Sequence, residues 1–426
     1  MQFTYGLEDR PPWAEMLLFG LQWFAVAIPI IIIIGKITGG FHSGDPGDQI
    51  IYLQKLTFVM AVALLCQILL GHRLPLITGP ATVLLIGVIA SRGYDHNTIY
   101  SAILFGGALL TLLSITGLFG HLQRLFTTRV IAVVLLLIAF TLSPVILGLI
   151  TGAGAGGTPP FNLIFALILT TGMFISHRAL RGIWKATLIV WAMTLGSLVY
   201  FLMVPESVNL SSCLQAGLVS GFFRQGLTGF SFDAGVMISF LFCVVALSVN
   251  DLGSIQSMNE MLKPADTSRR ITRGMLVTGL ANMASGLLGV IGPVNYSLSP
   301  GVITSTGCAS RFPLLPAAFL LFVLSFSPAV IGFIGSVPPV VIGSVLIYIL
   351  SAQIAAGLII LAESGEEIHF TGGLIIGLPI LLGTIIAFLP VEIINTFPPV
   401  LRPVLGNGFV VGVAAALVLE HGVFKK

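Results

Sequence analysis

Charge is what this 426-residue sequence has least of. Only 8% of its residues are Asp, Glu, Lys or Arg, where a soluble domain carries about 25%. A soluble fold of this size could not cover its surface with so few charges. Hydrophobic residues make up 56% of the chain and mean hydropathy is +1.06, so the sequence reads as an integral membrane protein. Long apolar segments recur along the whole chain, which excludes a β-barrel and leaves almost nothing for a soluble domain. A net charge of only +3 argues against a nucleic-acid partner. Cysteine is scarce: Cys66, Cys213, Cys243 and Cys308 show no CxxC and no metal spacing, and read as small packing residues. No cleavable signal peptide is expected, because the first apolar run, through Ile34, is too long for a signal h-region. HExxH, a Walker lysine and clustered His/Cys are all missing, which excludes a metalloprotease and an ATP-driven pump. The glycine-rich stretch 151–157 lacks the Lys-Ser/Thr of a phosphate loop. No nucleophile–base set emerges, so no enzyme, catalytic residue, metal or cofactor is expected.

What is present is a series of apolar spans. At roughly 20 residues per crossing, fourteen can be drawn, from 13–35 to 404–421. With both termini on one face, only Lys36, Lys55, Arg92, Arg224 and Arg402 fall on the other. That bias predicts cytoplasmic termini in a plasma (inner) membrane. The acids Glu363, Glu366 and Glu367 then read as a solvated loop. An internal echo follows. Span 1 opens near residue 13 and a proline-broken span 3 near 74; span 8 opens near 233 and a proline-broken span 10 near 294. The offsets match at about 61 residues. A unit of seven spans repeated once runs in opposite senses, and broken segments at matching places point to a transporter's site. The fold expected is therefore an all-α polytopic membrane protein of fourteen segments in two inverted seven-span repeats, 13–204 and 233–421. Short strand-containing breaks would lie in spans 3 and 10.

A helix broken in mid-membrane frees backbone N–H and C=O groups, tolerated only where they face protein, water or ligand. The break at 78–82 reads Thr-Gly-Pro-Ala-Thr, and that at 292–301 carries Asn295, Tyr296, Ser297 and Ser299. Span 8, drawn as 233–250, ends at Asn250-Asp251. An acid in or beside a span is expensive and points to function; Asp251 could carry a proton, or be a surface charge at a helix end. Asn250 can donate and accept, which suits an amide or imide edge. Asp233 and Glu206 read as interfacial, and His72, His121 and His177, beside arginines, as ordinary surface residues.

These residues resemble the nucleobase/ascorbate transporter family, the uracil and xanthine permeases, over nearly the whole chain. Glu8-Asp9-Arg10-Pro11-Pro12 is similar to the family's short opening motif. Gln22 matches the Gln of its span 1 Gln-His pair, with Trp23 a departure. Leu74-Pro75 with Gly79 resembles the broken span 3, and Asn250-Asp251-Leu252-Gly253 falls on the span 8 Glu-x-x-Gly. Ser299-Pro300-Gly301, then Thr306-Gly307, falls on the Asn-x-Gly signature, with Ser299 in place of Asn. The resemblance implies a core domain (about 13–116 plus 233–331), a gate domain (about 128–204 plus 336–421), a substrate between spans 3, 8 and 10, proton symport and a homodimer. The family's span 8 glutamate is Asn250 here, and Leu298 stands at its span 10 acid or glutamine. The expectation is a proton-coupled, elevator-type carrier of a nucleobase, uracil or a purine such as xanthine, embedded in the lipid bilayer. Substrate would meet Gln22, Gly79, Ala81, Thr82, Asn250, Tyr296, Ser297, Leu298, Ser299 and Gly301, with Asp251 carrying the proton. Alternatives are an inorganic anion or carboxylate carrier on the same architecture, and a channel or non-transporting membrane sensor.

Overall fold

The computed structural model describes residues 3–117, 125–152, 156–207, 217–223, 229–296, 299–363 and 369–424. Ser297, Leu298, Cys213, His121, Arg224, Glu366 and Glu367 lie outside the described residues.

The chain opens with α1 (Trp13–His42) and α2 (Pro46–Leu69), followed by a short strand β1 (Thr78–Pro80), α3 (Thr82–Ala90) and α4 (His96–Thr116). Next come α5 (Thr128–Thr141), α6 (Ser143–Thr151), α7 (Pro159–Ala179) and α8 (Leu188–Met203). The main elements after these are α9 (Ala234–Leu262), α10 (Thr267–Leu288), β2 (Pro293–Asn295), α11 (Ser299–Thr306), α12 (Leu314–Ser325), α13 (Pro328–Ile334), α14 (Pro339–Glu363), α15 (Phe370–Ala387) and α16 (Gly408–Val418). Helix starts follow capping chemistry. Asp45 accepts the Asp48 N–H and puts Pro46 in the first turn of α2; Asp233 accepts the Val236 N–H at the start of α9. Asp233, read from sequence as interfacial, is thus a helix cap.

The fourteen-span expectation is overturned. Among the described residues, eight helices are long and apolar enough to cross a membrane, and up to nine if α12 and α13, bent by 105°, form one span. Two seven-span inverted repeats do not arise from such a set. The physical cause is continuity. Apolar composition counts residues, but proline and glycine cut several apolar runs into pieces too short to span. α3 has nine residues and α11 eight, about 12–14 Å of helix against a hydrocarbon core of about 30 Å. The strands belong to none of the eight spans. They pair with each other, antiparallel, in the register Thr78↔Asn295, Gly79↔Val294 and Pro80↔Pro293.

The most apolar run, Ile30–Ile34 of α1, is buried in the protein rather than turned to lipid. Tight packing elsewhere depends on glycine. α4 and α10 meet so closely that a Cβ on Gly107 would stand 2.6 Å from the Met283 backbone nitrogen, and one on Gly286 2.7 Å from that of Leu104. Two sets of helices pack mainly within themselves: α1–α4 with α9, α10 and α12, and α5–α8 with α14–α16. The strand pair sits inside the first set, against α1, α2, α9 and α10.

Candidate functional site

β1 and β2 each lead into a short helix, α3 after one residue and α11 four residues on, and because the strands are antiparallel the two helix N-termini leave from opposite ends of the pair. The N-cap of α3 is Ala81, which supplies no side-chain hydrogen bond. Its first amides therefore keep their donor capacity, with the positive end of the helix dipole behind them. The strand pair continues one step further, since the Ala81 N–H donates to the Gly292 C=O at 2.9 Å and the Tyr296 N–H to the Ile77 C=O at 2.9 Å.

Behind the strands lies a buried polar network. α9 runs on to Leu262, so Asp251 stands in mid-helix and is fully buried, not at a helix end. Its Oδ1 accepts from the Asn295 N–H and the Asn295 Nδ2, both at 2.8 Å, and its Oδ2 from the Thr278 hydroxyl at 2.6 Å. Gln67 Nε2 donates to the same Thr278 hydroxyl (2.9 Å), and Ser254 Oγ donates to the Asn295 C=O (2.9 Å). Asn282 Nδ2 donates to the Pro293 C=O at 3.0 Å. His72 is also fully buried, which corrects its reading as a surface residue. Its Nδ1 accepts the Leu74 N–H at 2.9 Å, so the ring proton sits on Nε2, which faces Asn295 Oδ1 at 3.3 Å. Thr78 Oγ1 donates to that same oxygen at 2.9 Å. One asparagine thus ties β2 to β1, to α9 and to the turn before β1.

The site residues read from sequence divide as follows. Gly79, Ala81 and Ser299 are buried at the strand pair, with Thr82 and Tyr296 half-buried beside them. The Tyr296 hydroxyl donates to the Pro80 C=O (2.5 Å), and its ring lies so close to β1 that a Cβ on Gly79 would meet it at 2.3 Å. Ser299 Oγ accepts the Ile77 N–H (3.0 Å) and donates to the Tyr296 C=O (3.1 Å). Asn250 is half-buried, one residue from Asp251 and so about 100° around the helix from it. Gln22 is buried on α1, the helix that packs on β1, and its Nε2 finds no partner among the described residues. Gly301 is exposed, and a Cβ there would meet nothing within 4 Å, so no close approach within the protein explains it. Sequence reasoning passed over His72, Thr278, Gln67 and Ser254. All four are ordinary polar residues one by one, and only the strand crossing draws them together. Among the described residues no group of three His, Cys, Asp or Glu side chains could hold a metal ion.

Eight long apolar helices around such a centre define a multi-pass membrane protein. The Permease family model matches residues 14–392, and the chain belongs to that family; it is a membrane transporter and not an enzyme. It is 27% identical to the putative purine permease YwdJ of Bacillus subtilis, covering 96% of each chain. It is 27% identical to the xanthine permease XanP of Escherichia coli (98% of this chain, 94% of that one) and 23% identical to the uric acid transporter UacT of Escherichia coli (95% and 85%). In fold it is similar to the transmembrane domain of the cyanobacterial bicarbonate transporter BicA, at TM-score 0.62 and 16% identity over 91% of this chain and 98% of that one. It is also similar to the murine Slc26a9 anion transporter in its inward-facing state, at TM-score 0.63 and 12% identity over 96% and 69%.

Proposed function

We propose that this transporter carries a flat, weakly acidic oxopurine of the xanthine or uric acid class, set between the N-termini of α3 and α11. The observation that carries this is the fate of the one acid at the centre. Asp251 is taken up by Asn295 and Thr278, and Asn250 is neutral, so among the described residues the ligand side offers positive helix ends and no free carboxylate. Such an arrangement suits negative charge. The Tyr296 ring against Gly79 adds a flat apolar face, and Asn250 and Gln22 add amides for the edges of a base. The relatives named for purines, xanthine and uric acid support the same class.

A second reading is an inorganic anion or carboxylate. The same two helix ends favour it, and so does the fold likeness to a bicarbonate transporter and an anion transporter. It makes no use of the Tyr296 face. Transport would follow an elevator scheme, the set of helices around β1 and β2 sliding as one body against the set of α5–α8 with α14–α16. Proton coupling through Asp251, cytoplasmic termini and a homodimer belong to the same proposal.

The test is a thermal-shift panel on detergent-purified protein with xanthine, uric acid, uracil, bicarbonate, sulfate and dicarboxylates. Ligands that bind the native state raise its melting temperature by mass action. A shift with xanthine or uric acid, lost in Asn250→Ala, supports the first reading. A shift with inorganic or carboxylate anions alone replaces it with the second.

A further inference from the structure

The N-terminal segment before α1 is a strap across the strand pair's supports. The Thr4 N–H donates to the Gly307 C=O (2.9 Å), the Ala309 N–H to the Tyr5 C=O (2.9 Å) and the Arg311 N–H to the Leu7 C=O (3.3 Å). Tyr5 and Cys308 form a parallel bridge, and the Ser310 hydroxyl donates to the Asp9 C=O at 2.6 Å. The strap thereby pairs with the stretch that leaves α11.

Glu8 then joins this strap to the other broken segment. Its Oε2 accepts from Arg311 Nε (3.0 Å) and Nη2 (2.8 Å), and its Oε1 lies 3.8 Å from Arg270 Nη2. Both guanidiniums also donate to the end of α2 or the turn into β1, while Arg270 Nε donates to the Ala265 C=O at 3.1 Å. Arg311 Nη1 donates to the Ile68 C=O (2.6 Å); Arg270 Nη1 donates to the His72 C=O (3.1 Å) and the Arg73 C=O (2.9 Å). Those carbonyls need such donors. α2 stops at Leu69, the last carbonyls of a helix lack intrahelical partners, and Arg73 turns the chain with φ 54°, a left-handed conformation unusual for a residue with a Cβ. The turn also holds His72, whose ring bonds to Asn295. The arginines are mostly buried, with side chains 17% and 12% exposed, while Glu8 is 55% exposed. An isolated exposed ion pair contributes little, but a shared carboxylate fixing two forked guanidiniums is a network.

We infer that Glu8, through Arg270 and Arg311, is a positioning residue that holds the turn before β1 and the exit of α11 in the register the ligand site requires. All its partners lie within the one set of helices that carries the strand pair, so the clasp shapes affinity and does not gate sliding between the two sets. The affinity arm rests on the ligand site proposed above; the structural arm does not.

The experiment compares full-length wild type with Glu8→Ala, Glu8→Gln and the exposed control Glu260→Ala. Calorimetric binding of xanthine, uric acid and bicarbonate is measured on the folded fraction, and hydrogen exchange is followed in peptides covering 70–81 and 290–296. Glu8→Ala is expected to weaken the ligand's Kd about tenfold, the scale of one lost charge-assisted contact, and to speed exchange in 70–81. Glu8→Gln, which keeps an acceptor, is expected to lose less, and Glu260→Ala nothing. A Glu8→Ala protein that only melts earlier, with unchanged Kd and unchanged exchange in 70–81, overturns the inference. If wild type binds none of the three compounds, the site reading fails and the exchange result still decides the clasp.

Discussion

At the scale of single residues, two neighbours on α9 have opposite work. Asp251 points into the scaffold, where Asn295 and Thr278 donate three hydrogen bonds to it; Asn250 lies half-exposed on the adjacent face. Asp251→Ala would leave the Asn295 N–H and Nδ2 buried without an acceptor, at about 1–3 kcal/mol for each unsatisfied group. The expected outcome is a clear drop in melting temperature without ligand, read by differential scanning fluorimetry. Asp251→Asn keeps an oxygen acceptor and should fold. Should it go on transporting with an undiminished dependence on the proton gradient in vesicles, the coupling role assigned to Asp251 is wrong. Asn250→Ala removes no bond from the scaffold, so its ligand-free melting temperature should stay near wild type while the ligand-induced shift disappears. The sequence placed both residues at the end of span 8, and a boundary drawn at residue 250 left open whether the acid sat at a helix end. Only the continuation of α9 to Leu262 shows it to be interior.

At the scale of elements, the breaks decide the architecture. Proline at 75, 80, 293 and 300 and glycine at 79, 292 and 301 mark the two interruptions in the sequence, and each interruption is followed by a short helix. Two of these glycines, one ahead of α3 and one in the first turn of α11, differ in kind. Gly79 is pressed under the Tyr296 ring at a distance no side chain could share, whereas a Cβ at Gly301 would stand in open space. Gly79→Ala should therefore displace Tyr296, break its bond to Pro80 and reduce uptake in cells at least about tenfold, the cost of one misplaced contact at the site. Gly301→Ala should fold and bind like wild type unless ligand itself approaches there, so a loss of binding in it would mark Gly301 as a ligand contact. Residue patterns alone suggested both glycines equally, because close approach depends on which ring the tertiary fold lays over each. The span count failed for a related reason: hydropathy adds residues along the chain, but a membrane crossing needs one unbroken helix.

At the scale of the whole molecule, the elevator scheme proposed above moves the two sets of helices past each other, and among the described residues few polar contacts join them. One is Asn407, which caps α16 by accepting the Phe409 and Val410 N–H groups and donates from Nδ2 to Ser239 Oγ on α9 at 3.0 Å. Another is the Tyr94 hydroxyl, which donates to the Pro399 C=O at 2.6 Å. A disulfide in the double variant Ser239→Cys/Asn407→Cys should lock the sets together. Oxidised protein in vesicles is expected to bind ligand with near wild-type affinity but not to move it, and a reductant should restore flux. Full flux in the oxidised form would rule out sliding between these two sets.

The sequence by itself determined that this is a helical, multi-pass membrane protein, because so few charges cannot cover a soluble surface and because the apolar segments run its whole length. It also determined where the helices break, because proline and glycine act locally on the backbone. Which polar residues meet at those breaks was decided by tertiary structure alone. His72, Thr278, Asp251 and Asn295 are separated by up to 223 positions, and no local pattern records that the antiparallel register of β1 and β2 closes them into one buried network. The same holds for Glu8: its partners lie 262 and 303 residues away, and only the packed fold shows why an acidic residue stands just ahead of the first helix.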